Sequence, residues 1–382
     1  MKVFLYEAVR SPRAKAREDG GLAALKPDEL VAELVSAIRV KRENIAPDIL
    51  TIGTVGQVKE QGGNIALISK FRANLPNKTV THTLNNYCVS GLSAVGQAAN
   101  TVALGQAETA LAGGVEMLSK VAFLGDKAAY YSDTTLPLST RYLPVVLAAD
   151  RLATQLGITR EEMDAAALLS QQRAQQAEGS PLNKSLVTIN GLDRDECIRP
   201  TTAQGLAELK PAFAGLKEHY AEVLGANVEH LHTIAHAPPM ADGAALILLG
   251  GEKSFPVRPR ARIVAFADAA ADPEQSLTAG LVAMDRVLAM SSLQLKDMDK
   301  IEFMESFAVT IARFYRDYKP SMEQVNIGGG HLAKGHPLGA SGAILLSTLL
   351  DALDFSEGKY GLVVTTGASG AGSAMIVERV EG

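Results

Sequence analysis

The sequence has no tryptophan, and phenylalanine and tyrosine bring its aromatic content to only 5% of 382 residues. A core with so few rings must be packed with Ala, Val, Leu and Ile, which suits closely spaced helix and sheet layers. Only two cysteines are present, Cys88 and Cys197, and two thiols can build neither a disulfide framework nor a thiolate metal cluster. The seven histidines follow no metal-binding pattern, so we expect no metal.

An excess of positive charge is also lacking. The net charge is −5, which gives no electrostatic reason to bind nucleic acid or an anionic membrane. We also expect no apolar run of the roughly 18 residues that span a bilayer. The first ten residues alternate like a strand instead of resembling a signal peptide. We therefore expect a cytoplasmic protein with no membrane and no nucleic-acid partner.

What the sequence does contain is a repeated plan of alternating strands and helices, which predicts a mostly parallel α/β sheet in each of two similar halves. Helices rich in Ala, Gly and Ser would be buried between the two halves. The predicted strands are 2–9, 49–55, 79–84, 108–113, 240–249, 261–266, 300–303, 325–327 and 361–365, and the predicted helices are 27–39, 91–104, 280–290 and 340–350.

The pattern changes between the two halves. Residues 1–119 with 241–260 are predicted to form the N-terminal half, and residues 261–382 the C-terminal half. Residues 120–240 form a long insertion, and such insertions are typically a lid or a binding subdomain. The insertion contains a predicted helix from Thr159 to Ala177, because Glu162 follows Thr159 at the spacing of a capping box.

Two residues at matching turns carry the candidate chemistry. Cys88 follows a predicted strand and precedes a helix of small residues, and a helix start favours the thiolate form of a cysteine. His336 lies at the corresponding turn of the second half. Either residue alone could be structural. Together, at equivalent ends of a repeat, they predict an imidazole that takes the proton of a thiol nucleophile.

At these residues the sequence resembles the thiolase family, and the resemblance covers almost the whole chain. The segments that carry it are Cys88-Val-Ser-Gly-Leu, Gly113-Gly-Val-Glu-Met-Leu-Ser, Ser170-Gln-Gln-Arg-Ala, Lys210-Pro-Ala-Phe, Asp242-Gly-Ala-Ala and Gly335-His-Pro-Leu-Gly-Ala-Ser-Gly. The resemblance implies a five-layer αβαβα sandwich of two halves with an inserted loop subdomain. It also implies a homodimer or homotetramer, with or without a partner enzyme.

The resemblance further implies an acyltransferase that needs no cofactor and uses a coenzyme A thioester as its substrate. An acyl group would pass from acyl-CoA, or from a carrier-bound thioester, to Cys88, with His336 as the activator. Backbone N–H groups of Cys88 and Ala368 would stabilise the oxyanion. Ala368 stands where the family has glycine, which would strain the backbone if this position needs a positive φ.

Two departures from the family pattern affect the carbon–carbon bond step. Thr366 occupies the position of the family's second cysteine, the base that removes a proton from the acetyl group, and a hydroxyl is far too weak an acid to replace it. Met304 occupies the position of the asparagine that holds a water near the enolate, and a thioether holds water poorly. The neighbouring Glu305 is expected to be a buried structural carboxylate beside the cavity, and Glu116 another.

The insertion supplies the candidate substrate contacts. Val145 lies where relatives have a pantetheine loop, and Pro238 stands where they have a serine-containing segment. Arg173 and Lys210 could meet coenzyme A phosphates, and Phe213 follows Lys210 in a matched segment. Cys197, in a polar stretch of the insertion, is interpreted as incidental.

Three functions remain open on this reasoning. The first is an acyltransferase that loads Cys88 but is impaired in ordinary Claisen condensation. The second is a working acetyl-CoA C-acyltransferase, a β-ketothiolase, that uses another base such as water or His336. The third is a non-catalytic thioester-binding subunit of a multienzyme complex. A ketoacyl synthase is disfavoured, because the last glycine-rich motif reads Thr-Gly-Ala-Ser-Gly.

Overall fold

Strands and helices alternate along the chain in the computed structural model, which describes residues 2–42 and 45–380. The strands are β1 (Phe4–Arg10), β2 (Ala14–Lys15), β3 (Ile49–Gly53), β4 (Val80–Leu84), β5 (Thr109–Glu116), β6 (Ala241–Gly250), β7 (Ala261–Ala270), β8 (Lys300–Phe303), β9 (Tyr360–Thr366) and β10 (Ala371–Arg379). The α-helices are α1 (Pro27–Lys41), α2 (Ile65–Arg72), α3 (Ser90–Ala103), α4 (Val145–Leu156), α5 (Arg160–Ala177), α6 (Ala203–Ala207), α7 (Ala221–Leu224), α8 (Ala279–Ser291), α9 (Ala308–Tyr318), α10 (His331–Lys334) and α11 (Ser341–Ser356).

The strand order shows the internal repeat directly. The strands lie in the order β4-β3-β5-β6-β1-β7-β10-β9-β8, with β2 paired to β6 outside this path. Reading outward from the centre, the order β1-β6-β5-β3 in the first half matches β7-β10-β9-β8 in the second. The two halves meet where β1 pairs with β7 over Phe4 and Leu5. The predicted duplication is therefore confirmed.

The prediction of a mostly parallel sheet was wrong, because the sheet is mixed. β3 runs parallel to β4 and β5, and β8 runs parallel to β9. β6 and β10 run antiparallel to both of their neighbours in the main path. The connection from β9 to β10 spans only residues 367–370, and so short a link cannot make the crossover that parallel strands require.

The strand predicted at 325–327 is reduced to a single bridge between Val325 and Ile301. The side chain of Asn326 makes the hydrogen bonds to β8 that a neighbouring strand would have made. Its Oδ1 accepts from the N–H of Phe303 at 2.7 Å, and its Nδ2 donates to the carbonyl of Phe303 at 2.9 Å. A side-chain amide therefore satisfies the edge of β8 where a further strand was expected.

The central layer consists of α3 and α11, which pack against each other between the two halves of the sheet. Glycines permit this close approach. A Cβ on Gly91 would lie 2.7 Å from the carbonyl oxygen of Gly339, and one on Gly342 would lie 2.7 Å from the backbone nitrogen of Leu92. On the outer faces, α1 covers β1 and β6, and α8 covers β7 and β10.

One segment, Leu338–Ser356, is long and apolar enough to pass a test for a membrane span. The expectation that no such run exists was therefore wrong by length and composition. However, 89% of its apolar window is buried inside the protein, where α11 forms the central layer. The apolar character of this segment is explained by its packing between the two halves of the sheet.

Candidate active site

Cys88 lies in a tight turn between β4 and α3. Tyr87 adopts a left-handed conformation with φ of 48°. The hydroxyl of Ser90 fixes the turn, because it accepts from the N–H of Asn86 at 2.8 Å and donates to the carbonyl of Tyr87 at 2.6 Å. Since α3 begins at Ser90, the thiol sits just ahead of the helix rather than within its first turn.

His336 lies in the equivalent turn of the second half, between α10 and α11. Gly335 precedes it with φ of 99°, and the N–H of His336 donates to the carbonyl of Pro239 at 2.7 Å. The hydroxyl of Ser341 lies 2.8 Å from Nδ1 of the imidazole. Because Ser341 engages Nδ1, any proton exchange with a ligand falls to Nε2.

Glu116 at the end of β5 ties the two turns together. Its carboxylate accepts from the N–H groups of Val55 at 2.8 Å, Gly56 at 3.0 Å and Gly339 at 3.0 Å. It also accepts from Nε2 of Gln61 at 2.7 Å. One buried carboxylate thus joins the first half to the turn that follows His336, which confirms the structural interpretation of Glu116.

Cys88 and His336 line one cavity of about 410 Å³. The cavity lies next to the turns that carry Cys88 and His336, and residues of the insertion form part of its wall. Its other lining residues are Val55, Tyr87, Phe123, Leu124, Tyr142, Pro144, Val145, Val146, Phe213, Leu216, Tyr220, Ala237, Pro238, Met240, Leu277, Ser306, Phe307, Leu338, Thr366 and Ala368. The repeat therefore brings the predicted nucleophile and the predicted activator to one site.

Two backbone N–H groups, those of Cys88 and Ala368, act on the sulfur of Cys88 and lower the pKa of its thiol. These are the donors expected for an oxyanion site. The strain expected at Ala368 is not found, because the left-handed residues in this described turn are Ser369, with φ of 54°, and Gly370, with φ of 81°. Alanine is therefore compatible with the position that presents the donor.

The expectation that Cys88 favours the thiolate was wrong for the unliganded site. Burial raises the pKa of its thiol to about 12, and the negative charge of Glu116 acts in the same direction. The two backbone N–H groups lower the pKa, but by less than burial raises it. A dipole at a helix end is worth up to about 2 kcal/mol, which is too small to offset an apolar cavity of this kind.

His336 is neutral for a related reason. Burial lowers the pKa of its imidazole to about 3, and the nearby charge of Arg13 lowers it further. Arg13 is itself buried, and its guanidinium donates to the carbonyl of Gly335 at 3.1 Å. The resting pair is therefore a neutral thiol beside a neutral imidazole that is free to accept a proton.

The two departures from the family pattern occupy different places. Thr366 lies at the end of β9 and lines the cavity, and its Oγ1 is buried without a hydrogen-bond partner among the described residues. Met304 does not line the cavity. It is 1% exposed and packs in the central apolar cluster with residues such as Leu345 and Val363. A thioether at this position fills the core instead of facing a ligand.

Glu305 is a buried structural carboxylate, as expected. It accepts from the hydroxyl of Ser170 at 2.8 Å, from Nδ2 of Asn326 at 2.9 Å and from the N–H of Leu332 at 2.9 Å. These partners belong to α5, to the loop between α9 and α10, and to α10. Glu305 therefore connects the insertion to the segment that carries His336, although it does not itself line the cavity.

The proposed substrate contacts divide into two groups. Val145, Phe213 and Pro238 line the cavity. Arg173 lies elsewhere, because its guanidinium donates to the carbonyls of Val325 and Met322 and to the hydroxyl of Tyr315. Lys210 is exposed and outside the cavity wall. The apolar contacts are thus at the site, while the two cations are remote from its wall.

Several residues of the site were missed from the sequence. Tyr142 and Ser306 both line the cavity, and the hydroxyl of Tyr142 is buried with no hydrogen-bond partner in the part of the chain that the structure describes. Phe307 also lines it and has φ of 74°, unusual for a side chain of this size. The position of Ser306 beside Met304 and Glu305 was a usable signal, whereas nothing in the sequence marked Tyr142.

Cys197 is buried, although it lies in the polar stretch of the insertion. It is 5% exposed, and a Cβ added to Gly335 would lie 3.3 Å from its sulfur. Burial raises the pKa of this thiol to about 11. Cys197 therefore packs behind the His336 turn as an apolar group.

A cysteine and a neutral imidazole thus share the wall of one cavity within a duplicated α/β fold. Residues 3–253 match the family model described as "Thiolase, N-terminal domain", and residues 257–379 match "Thiolase, C-terminal domain". The chain belongs to the thiolase family, and it is an acyltransferase of that family.

Named relatives agree with this assignment over nearly the full length. The chain is 32% identical to a β-ketoadipyl-CoA thiolase of Pseudomonas aeruginosa, covering 99% of each chain. It is 30% identical to a 3-ketoacyl-CoA thiolase of Alcanivorax borkumensis, covering 99% of this chain and 98% of the relative. The crystal structure of human mitochondrial 3-ketoacyl-CoA thiolase matches with a TM-score of 0.84 at 27% identity, covering 99% of each chain.

Proposed function

We propose that the protein forms and cleaves 3-ketoacyl thioesters of coenzyme A through an acyl group carried on Cys88. The observation that carries this proposal is the cavity in which Cys88, His336 and the donor N–H of Ala368 meet. The names of the relatives, which are thiolases of 3-ketoacyl and β-ketoadipyl thioesters, support the same reaction. They favour it over an enzyme impaired in condensation.

In the cleavage direction, the sulfur of Cys88 attacks the 3-keto carbon. The pKa values of about 12 for the thiol and about 3 for the imidazole keep the resting pair neutral. The proton therefore leaves the thiol as the carbon–sulfur bond forms, and Nε2 of His336 accepts it. The N–H groups of Cys88 and Ala368 stabilise the negative charge that develops on the keto oxygen.

Collapse of this adduct breaks the bond between C2 and C3 and leaves an acyl group on Cys88. The leaving acetyl-CoA carbanion needs one proton, and the imidazolium of His336 holds one, taken from the thiol. The half-reaction therefore balances without a second thiol at the position of Thr366. The thiol of a second coenzyme A then attacks the acyl-cysteine, which releases acyl-CoA and returns a proton to Cys88.

A second candidate function is transfer of the acyl group to an acceptor other than acetyl-CoA. The specific observation that favours it is the loss of two groups that serve carbon–carbon bond chemistry. Thr366 offers a hydroxyl in place of a thiol, and Met304 is buried in the core instead of holding a water. Both changes leave the acylation of Cys88 untouched.

The proposed function is tested by combining a mass measurement with a rate. Incubation with a 3-ketoacyl-CoA should add the acyl mass to the intact wild-type protein, and Cys88→Ala should abolish this adduct. Cys197→Ser is the matched control and should retain it. Addition of free coenzyme A should remove the adduct, with acyl-CoA appearing in stoichiometric amount.

The outcomes separate the candidates. Adduct formation together with release of acetyl-CoA from the 3-ketoacyl thioester supports the thiolase reaction. An adduct that forms from simple acyl-CoA, without cleavage of any 3-ketoacyl thioester, would favour the second candidate. No adduct from either class would contradict both, and would leave a thioester-binding subunit as the function.

A further inference from the structure

The wall of the active-site cavity carries no charged side chain among the described residues that line it. Its 22 lining residues include no Asp, Glu, Lys or Arg. The polar groups are the thiol of Cys88, the imidazole of His336 and a few hydroxyls such as those of Tyr142, Ser306 and Thr366. An acyl group that enters this space meets hydroxyls and apolar surface, but no ammonium or guanidinium group.

The cavity also concentrates the protein's scarce aromatic residues. The sequence has nine tyrosines, ten phenylalanines and no tryptophan. Six of these 19 rings line the cavity, namely Tyr87, Phe123, Tyr142, Phe213, Tyr220 and Phe307. In a chain whose core is built mainly from aliphatic side chains, this concentration provides large apolar contact surfaces for a ligand.

We propose that the acyl group accepted on Cys88 is uncharged and apolar along its length, and that acyl groups ending in a carboxylate are excluded. This inference rests on the proposed function and names its substrate class. It separates the protein from relatives named for β-ketoadipyl-CoA, whose acyl group ends in a carboxylate. The physical reason is that a carboxylate buried without a cation loses its hydration and gains no compensating charge.

The remaining polar groups do not supply that compensation. The unpartnered hydroxyl of Tyr142 can donate one hydrogen bond, but it brings no positive charge. His336 stays neutral because burial lowers its pKa to about 3. The carboxylate of Glu116 acts electrostatically on Cys88 and would repel a second anion near it.

The test compares three thioesters on the wild-type protein. 3-Oxohexanoyl-CoA and 3-oxoadipyl-CoA have acyl chains of equal length that differ only in the terminal carboxylate, and the methyl ester of the second restores neutrality while adding bulk. We expect kcat/KM for thiolysis to be roughly tenfold or more higher for 3-oxohexanoyl-CoA than for 3-oxoadipyl-CoA. The methyl ester should recover most of the difference. Equal values of kcat/KM for 3-oxohexanoyl-CoA and 3-oxoadipyl-CoA, or a preference for 3-oxoadipyl-CoA, would overturn the proposal.

A binding measurement separates this inference from the proposed function. Titration of the Cys88→Ala protein with the same three thioesters reports their affinities without any acylation. A preference for the two neutral thioesters, with no adduct on the wild type, would retain the substrate class and reject the proposed reaction. Acylation of Cys88 at equal rates by all three would retain the reaction and reject the substrate class.

Discussion

At the scale of single residues, the site consists of a thiol and an imidazole that are both kept neutral by burial. The pKa of Cys88 is raised to about 12 and that of His336 is lowered to about 3. This differs from a cysteine that rests as a thiolate–imidazolium pair. The thiol of Cys88 therefore loses its proton only as its sulfur forms a bond to the carbonyl carbon of the substrate.

The titration of Cys88 is the first testable consequence. A raised pKa keeps the thiol protonated through neutral pH, so the thiolate fraction should rise about tenfold per pH unit up to pH 10 and beyond. We expect alkylation of Cys88 by iodoacetamide to follow this rise without a plateau, as measured by peptide mapping. His336→Ala should show nearly the same profile. A plateau near pH 7 that His336→Ala abolishes would show that the resting pair is ionised.

Thr366 is the residue at which the family's second thiol can be restored. Its side chain already faces the cavity, so Thr366→Cys places a thiol there with little change in volume. We expect thiolysis of 3-oxohexanoyl-CoA to increase by roughly tenfold or more, since a positioned acid/base contributes about 10²–10⁴ in rate. Met304→Asn is left out of this restoration, because it would bury an amide in the apolar core.

The matched control for this change is Thr365→Cys. Neighbouring residues of β9 point to opposite faces, and the hydroxyl of Thr365 donates to the carbonyl of Ser373 at 3.0 Å, inside the sheet. The control should therefore give no gain in rate. If Thr366→Cys also gives none, the missing thiol does not limit the wild-type reaction.

At the scale of elements, the site depends on how closely the two central helices approach. Gly91 near the start of α3 faces the turn just after His336, and Gly114 of β5 faces the same turn. A Cβ on Gly114 would lie 2.5 Å from the carbonyl oxygen of Gly339. Backbone packing of this kind fixes the distance between the Cys88 turn and the His336 turn.

Gly91→Ala tests this role of the helix contact. The added methyl would meet the carbonyl of Gly339 at 2.7 Å, so the two turns must move apart. We expect a loss of about 1–3 kcal/mol in the free energy of unfolding. We also expect slower acylation of Cys88, measured by intact mass in a time course. Gly215→Ala, where no atom lies within 4 Å of the new Cβ, is the control and should change neither quantity. Acylation at the wild-type rate in Gly91→Ala would mean that this contact does not set the geometry of the site.

At the scale of the whole molecule, the insertion is attached to the first half by a buried ion pair. Asp195 accepts from the guanidinium of Arg10 at 2.8 and 3.2 Å and from the N–H of Arg13 at 2.9 Å. Burial alone would raise the pKa of Asp195, but Arg10 and Arg13 hold it well below its usual range. This pair lies behind the turn that carries His336, because Arg13 also contacts Gly335.

Asp195→Ala should destabilise the protein by about 3–5 kcal/mol, because the buried guanidinium of Arg10 loses its carboxylate partner. Asp193→Ala, two residues away and exposed, is the matched control and should be nearly neutral. Because the folded-state pKa of Asp195 is lowered, its stabilising contribution is present above the unfolded pKa of about 3.9 and is lost as pH falls further. Denaturant titrations at pH 7 and at about pH 2.5, below the unfolded pKa, measure both effects. Equal stability of the two variants at pH 7 would contradict the role of this pair.

The sequence by itself determined the duplication, most element positions and the two central side chains. The predicted strand 300–303 and the capping box of Thr159 and Glu162 are found as predicted, because both depend on local pattern. The equivalence of Cys88 and His336 could also be read from the repeat, since matching turns of two equal halves lie at matching places.

The tertiary structure alone decided the direction of strands, the ionisation of the site and the walls of the cavity. The antiparallel neighbours of β6 and β10 depend on which strands meet in the sheet, and that is a long-range choice. The pKa of Cys88 depends on burial by side chains from distant segments, which outweighs the local helix end that the sequence shows. The uncharged wall is assembled from residues between Val55 and Ala368, so its character appears only when the chain is folded around it.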